Sequence, residues 1–218
     1  MKNFLFLLGL LVLTLSIAEA RVLEATVLTI NDGDTVSILP TGETKKARLR
    51  LIGVDTPEMF FNGESQGEVA VKARDYLRAL VPIGSKISVE LPLKEEDNNG
   101  RYLGVIRLNG VDVNAEMLKS GWGALFVMFP YDKTLTARYV AIAKGAYEKK
   151  FGIFQDTYAD QPLPYMFRQE ARGTEGFLLI GDYETKRLYT QENIQRVPPY
   201  ARIFFFNEHM ARNQGFRW

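Results

Sequence analysis

The 218-residue chain has no cysteine and a single histidine, His209. Without cysteine there is no thiol nucleophile, no disulfide and no thiolate metal site. One histidine cannot build a histidine-rich zinc site, and its place near the C-terminus suits a catalytic base poorly. Chemistry is left to carboxylates, guanidinium groups, lysines, hydroxyls and hard cations. Net charge is scarce too: 27 basic residues against 26 acidic ones leave +1. Polyanion binding would therefore rest on local patches and not on a bulk positive field. Apolar material is not lacking, at 46% hydrophobic and 12% aromatic residues. That supplies a real core and excludes a disordered tail. The length fits one full domain with a small addition, or two small domains.

Lys2 precedes an apolar run from Phe4 to Ile17, broken only by Gly9, Thr14 and Ser16, and Ala18-Glu19-Ala20 follows. A charged start, a short apolar stretch and an A-x-A end read as a cleavable secretory signal over residues 1–20. The run falls short of the roughly 20 residues that span a bilayer. The mature chain is expected to start at Arg21, secreted or periplasmic, with no membrane attachment. In that oxidising space a chain without cysteine is held by packing or metal.

Beyond the leader, Val22 to Ile30 reads as a strand, Asn31-Asp32-Gly33-Asp34 as a turn and Thr35 to Leu39 as a second strand. Lys46 to Val54 alternates, with Leu49 and Leu51 on one face and Arg48 and Arg50 on the other. Glu64 to Val81 has helical spacing, ended by Pro82 and Gly84. Lys86 to Leu91 and Tyr102 to Leu108 are two further strands around a polar loop. Helices are expected over 113–119 and 133–150, with Gly121 capping the first. Three strands, a helix and two strands are the order of an OB-type barrel, a mainly β fold with helices outside, whose open face binds oligonucleotides. Gln161-Pro162-Leu163-Pro164 reads as part of a linker over 159–175. Strands over 176–180 and 202–206 and a helix over 207–214 then form a small α/β module spanning 176–218, leaving 21–158 as the main domain.

Two acidic turns stand out, Asp32-Gly33-Asp34-Thr35 and Asp55-Thr56-Pro57-Glu58. Either alone is an ordinary turn former. A three-strand meander, however, brings the end of its first strand close to the end of its third, so both turns can face one site. Asp34 and Asp55 would then share a hard cation, with the Thr56 carbonyl as a further oxygen ligand. Arg50 lies on the polar face of the third strand, and Arg101 follows the Asn98-Asn99-Gly100 turn. Two guanidinium forks beside a carboxylate-bound cation suit phosphoryl chemistry, because arginine neutralises a phosphodiester's growing charge without losing its own proton.

Taken in order, Asp32-Gly33-Asp34-Thr35, then Arg50-Leu51-Ile52-Gly53-Val54-Asp55-Thr56-Pro57-Glu58, then Asn99-Gly100-Arg101, resemble the staphylococcal nuclease (thermonuclease) family. Val113-Asn114-Ala115-Glu116, Gly121 and Lys149-Lys150-Phe151-Gly152-Ile153-Phe154 match as well, so the resemblance covers about residues 22–156. It implies a Ca²⁺-dependent phosphodiesterase on a five-stranded OB barrel that cleaves DNA and RNA with little sequence preference and leaves 3′-phosphate ends. By the same resemblance Asp34 and Asp55 are the calcium carboxylates, with the Thr56 carbonyl beside them. Glu58 matches the residue proposed to activate water, Arg50 and Arg101 match the phosphate-binding arginines, and Asp32 matches a supporting acid. All six matched positions, leaving Asp32 aside, are intact.

There are departures. Asn98 and Asn99 stand where the family archetype has Lys-Tyr. Val127 and Phe129 replace the two tyrosines flanking the base pocket, which leaves Phe129 to stack. The loop from Met59 to Gly67 is shorter, and Phe60-Phe61 replaces its lysines. The C-terminal stretch, with Phe177-Leu178-Leu179-Ile180-Gly181 and Val197-Pro198-Pro199-Tyr200, resembles the small zinc module related to the metal-binding domain of the Ada repair protein. Thr190 and Ile194 fall where its ligands belong, so the module is expected to be metal-free.

The expectation is a secreted, monomeric hydrolase: a Ca²⁺-dependent endonuclease whose substrates are DNA and RNA. The competing reading is a non-catalytic OB barrel that binds nucleic acid or a protein.

Overall fold

A computed structural model describes residues 21–173 and 178–218. The expected leader over 1–20, and residues 174–177 with the start of the strand expected at 176, lie outside them. The chain opens with β1 (Val22–Ile30) and β2 (Thr35–Pro40), joined by the turn in which the Asn31 amide donates to the Thr35 carbonyl at 3.0 Å. β3 (Ala47–Leu51) and β4 (Gly53–Asp55) follow, then α1 (Glu68–Leu80), β5 (Lys86–Glu90) and β6 (Tyr102–Leu108). Next come β7 (Val111–Asp112), α2 (Val113–Lys119), β8 (Ala124–Met128) and α3 (Lys133–Glu148). The last stretch holds α4 (Pro164–Arg172), β9 (Leu179–Asp182), β10 (Leu188–Tyr189), β11 (Arg202–Phe205) and α5 (Glu208–Asn213).

Five strands in the order β3-β2-β1-β5-β6 close on themselves through a parallel β3–β6 pairing, which sets Arg50 opposite Leu103. This is the expected five-stranded OB barrel with helices outside, an α+β fold. Its interior is filled by the inward residues of every strand: Val27, Val36, Ile38, Leu49, Leu51, Ile87, Val89 and Ile106 are sealed from solvent. α1 packs Val69, Ala70, Ala73 and Leu77 inward, one face of a helix by their spacing. It starts later than the expected Glu64, because residues 61–64 form a tight turn and Gly67 takes φ 68° just before the first helical turn.

The single strand expected over 46–54 is broken at Ile52. Gly53 follows at φ 76°, and a Cβ there would meet the Tyr139 ring at 2.7 Å, so only glycine fits. Asn114, wholly buried, holds the break: its Nδ2 donates to the carbonyls of Ile52 (2.9 Å) and Gly104 (3.0 Å), and its Oδ1 accepts from the Ile106 amide at 3.1 Å. The break lets β3 stay in the barrel while β4 joins a second sheet, ordered β10-β9-β11-β8-β4.

That second sheet carries the main departure from the sequence reading. The stretch expected as a linker contains α4, begun by Pro164 and closed by Gly173 at φ 61°. The segment expected as an appended module shares a sheet with the barrel domain: β11 pairs parallel with β8 (Ile203 with Val127, Phe204 with Met128), and β8 pairs with β4 (Asp55 with Ala124). Ile203, Phe204, Phe205 and Phe216 belong to one hydrophobic cluster with the barrel residues, and Ile194 is buried in it too. Asp55 thus lies on the strand that links the barrel to the C-terminal segment.

Candidate active site

The β1–β2 turn and the end of β4 meet. Asp34, Asp55 and Thr56 are each only 1% exposed. Asp34 Oδ2 accepts from the Thr56 amide at 2.8 Å and from its hydroxyl at 3.0 Å, and Oδ1 accepts from the Thr35 hydroxyl at 3.1 Å. The two turns are pressed together so tightly that a Cβ on Gly33 would lie 2.8 Å from Thr56 Oγ1. Asp32 Oδ1 accepts from the Asp34 amide at 3.1 Å and shapes the turn.

Arg50 stands opposite Thr35 in the β2–β3 register and reaches across both turns. Its Nη1 pairs with Asp34 Oδ1, and its Nη2 with Asp55 Oδ1 at 2.7 Å. One guanidinium therefore bridges two carboxylates from different turns. Glu58 is held at its backbone by Gln66, whose Oε1 accepts from the Glu58 amide at 3.0 Å while its Nε2 donates to the Pro162 carbonyl at 2.8 Å.

Arg101 is placed differently from the sequence expectation. Its Nε donates to Asp97 Oδ2 at 2.7 Å, and its amide to Asp97 Oδ1 at 3.0 Å, so the side chain rests on its own loop. It is near enough to act electrostatically on Asp32 and Arg50 without touching the acidic pair.

A third arginine, unforeseen in the sequence, fills the site. Arg168 of α4 donates from Nη1 to Glu58 Oε1 at 2.6 Å and from Nη2 to Asp55 Oδ2 at 2.9 Å, with Nη1 also 2.8 Å from Asp55 Oδ1. Its side chain is 15% exposed, and its guanidinium carbon lies 5.9 Å from the centre of the Phe126 ring.

The electrostatics follow from burial and these pairs. Burial pushes Asp55 up, but Arg168 and Arg50 outweigh it and hold the carboxyl below its usual value. Burial raises Glu58 above its ordinary value against the opposing pull of Arg168. Burial likewise raises Asp32, and it lowers Arg50 despite Asp55 beside it. Asp32, Asp34, Asp55 and Glu58 face two guanidiniums in direct contact, an acidic excess around the Asp34–Asp55 pair. Among the described residues no ready-made cage of three acidic, histidine or cysteine side chains exists. The donor set nonetheless suits a hard divalent cation: two convergent carboxylates, close enough for one guanidinium to span, with water and phosphate oxygens able to complete the shell.

The positions expected to flank a base are occupied otherwise. Val127 is buried against β11, and Phe129 packs on Phe205, ring centres 5.9 Å apart, and on Tyr131 at 6.2 Å. The exposed aromatic near Glu58 is Phe60, at 73%. No pattern in the sequence marks Arg168 or Gln66, since each acts through a contact made far along the chain.

Comparison with known proteins finds relatives among the nucleases. Endonuclease YhcR of Bacillus subtilis is 29% identical over 203 residues, covering 89% of this chain and 16% of that protein. Micrococcal nuclease of Shigella flexneri is 28% identical over 162 residues, 69% of this chain and 84% of its own length. The thermonuclease of Staphylococcus hyicus is 30% identical over 95 residues, 44% of this chain and 54% of its own. The chain thus spans a small fraction of YhcR and about half of the thermonuclease. Residues 48–156, from β3 through the turn after α3, match the family described as Staphylococcal nuclease homologue, and the chain belongs to that family.

Proposed function

We propose that the protein is a secreted or periplasmic Ca²⁺-dependent nuclease. In this reading it acts as a monomer on DNA and RNA with little sequence preference and leaves 3′-phosphate ends. The observation that carries the reading is the Arg50 bridge between Asp34 and Asp55, with Glu58 joined to Asp55 through Arg168. Buried acids and arginines so arranged serve phosphodiester cleavage, which needs a water activated on one side of phosphorus and charge neutralised around it.

Asp34, Asp55 and the Thr56 carbonyl would hold Ca²⁺. When bound there, the ion supplies charge neutralisation at a phosphate oxygen and a fixed seat for the attacking water. Glu58 has Oε1 engaged by Arg168, which leaves Oε2 to take the proton of that water. Burial raises Glu58 towards the range in which a carboxylate accepts a proton readily. Arg50 is fixed beside the acidic pair and binds the phosphate without ceding a proton. Arg101 completes the clamp by exchanging Asp97 for a phosphate oxygen. Water oxygen bonds to phosphorus, the bond to the 5′-oxygen breaks, and that oxygen leaves with a proton drawn from solvent.

The test is digestion of linear DNA, circular DNA and RNA with Ca²⁺, with Mg²⁺ and with chelator, with end-group analysis of the products. Cleavage in Ca²⁺ that stops on chelation, yielding 3′-phosphates, supports the reading. Intact substrates in millimolar Ca²⁺ would sink it and favour a binding barrel. Export is tested separately, by mass spectrometry of the protein recovered outside the cytoplasm: its first residue should be Arg21.

A further inference from the structure

α4 lies beyond the stretch that matches the nuclease family, yet its central side chain enters the site. Tyr165, Arg168 and Arg172 are three and seven residues apart, so they share one helical face, and all three touch the barrel side. Tyr165 packs between Phe126 (5.8 Å) and Phe204 (4.6 Å). Arg172 lies over Phe61 at 5.1 Å, and the Asn62 side-chain amide donates to the Ala171 carbonyl at 3.2 Å. The Pro162 carbonyl accepts from Gln66, which also holds the Glu58 backbone. The helix is therefore clamped on both sides of Arg168, and the guanidinium reaches the carboxylates from a fixed base.

We infer that Arg168 is a positioning residue of the active site, supplied by the C-terminal segment to fix the side chains of Glu58 and Asp55 relative to each other; the inference rests on the nuclease reading above. A glutamate has three rotatable side-chain bonds, and Glu58 follows the last barrel-linked strand with no strand of its own to orient it. The rigid guanidinium fork takes Glu58 Oε1 on one nitrogen and spans both oxygens of Asp55. Its planarity sets the angle between the two carboxylates, which a lysine, a single point charge, does only in part. Burial against Phe126 strengthens the contacts and excludes competing water. With Oε1 held by Arg168, Glu58 keeps Oε2 for the proton of an attacking water. This guanidinium comes from α4, outside residues 48–156, the stretch that matches the nuclease family.

The experiment compares wild type with Arg168→Ala, Arg168→Lys and Arg172→Ala, all full length, on linear double-stranded DNA in Ca²⁺. Thermal melting and guanidinium chloride in the low millimolar range serve as added readouts. Arg168→Ala should lower kcat by about 10- to 100-fold with little change in KM, the usual effect of losing a partner that orients an active-site group. Free guanidinium should restore part of that loss by occupying the vacated space, Arg168→Lys should recover part of it, and Arg172→Ala should keep wild-type kcat. Full kcat in Arg168→Ala overturns the inference. So does a loss that neither guanidinium nor lysine relieves, or an equal loss in Arg172→Ala, because either would mean that only helix docking matters. An inactive wild type would fail the nuclease reading itself, and this inference would fall with it.

Discussion

Arg168 and Glu58 are 110 residues apart in the chain and joined by a 2.6 Å hydrogen bond. The same guanidinium grips Asp55, which sits on β4 at the edge of the sheet that β11 extends. Two routes therefore connect the C-terminal segment to the acidic site: a sheet running from β11 through β8 to β4, and the α4 side chain laid over the top. Barrel and C-terminal segment share one core and one site, so a change made in the segment is transmitted to Asp55 by direct pairing.

Truncation after Gln161 should therefore destroy the fold and not merely shed an accessory module. It removes β11 from the edge of β8, and with it Ile203, Phe204 and Phe205, all buried. Burying each such side chain contributes about 1.5–3 kcal/mol, so three of them approach the roughly 5–15 kcal/mol that holds a domain together. Circular dichroism melting and size-exclusion chromatography check this: an unfolded or aggregated product is expected, and a soluble, cooperatively melting 1–161 fragment would refute it.

The barrel was legible in the sequence because its strands alternate and its turns carry Asp, Gly and Asn at the positions that need them. Val22–Ile30 and Tyr102–Leu108 form where their patterns say. Asp34, Asp55 and Arg50 were legible as a group because a meander of three short strands must bring those turns together. What stayed hidden depends on long-range contacts. β8 is a five-residue apolar run, Ala-Leu-Phe-Val-Met, whose pairing with β11 has no local signature. The bounds of α4 were written in Pro164 and Gly173, but no periodicity says that Arg168 enters the site. Asp97 in the polar loop gave no sign that it would hold Arg101.

Arg50→Ala should abolish the bridge between Asp34 and Asp55, leaving Asp34 without its paired cation and Asp55 with Arg168 alone. Activity should fall by about 10²- to 10³-fold, the scale for removing one donor that stabilises a transition state. The folded protein should lose on the order of 3–5 kcal/mol without metal, as when one partner of a buried ion pair is deleted. A cation held by the same carboxylates would return part of that loss. Melting temperature measured in chelator and in Ca²⁺ should then rise more for Arg50→Ala than for wild type. Equal shifts in both proteins would argue that the cation does not sit between Asp34 and Asp55.

Asp97 separates two roles that one substitution cannot. It shapes its turn by accepting from the amides of Asn99 (2.8 Å) and Arg101 (3.0 Å), and it holds the Arg101 side chain at 2.7 Å. The Arg101 contacts pull its carboxyl below the usual range against the effect of burial. Asp97→Asn keeps an acceptor for the turn but loosens the hold on Arg101, so phosphate competes for it more easily. KM for DNA should drop by about two- to fivefold, matching the ~0.4–1 kcal/mol of a partly exposed ion pair. Asp97→Ala removes the turn acceptor as well and should lower kcat. An unchanged KM in Asp97→Asn would mean that Arg101 stays where it rests during turnover.

Phe60 and Phe129 are both departures from the family pattern near the site, and the structure sends them to different tasks. Phe60 is 73% exposed and two residues past Glu58, while its neighbour Phe61 is covered by Arg172. Phe129 is packed on Phe205 and Tyr131. An exposed ring beside the site can stack on a base, worth about 1–3 kcal/mol in single-strand binding. Phe60→Ala should therefore raise KM for single-stranded DNA about 5- to 100-fold and leave kcat and melting temperature near wild type. Phe129→Ala should do the reverse, lowering the melting temperature through lost packing on β11 while KM holds. Steady-state kinetics on single-stranded DNA, paired with thermal melts of both variants, tests the division. A KM that rises for Phe129→Ala and not for Phe60→Ala would place the base on the β8 side of the site.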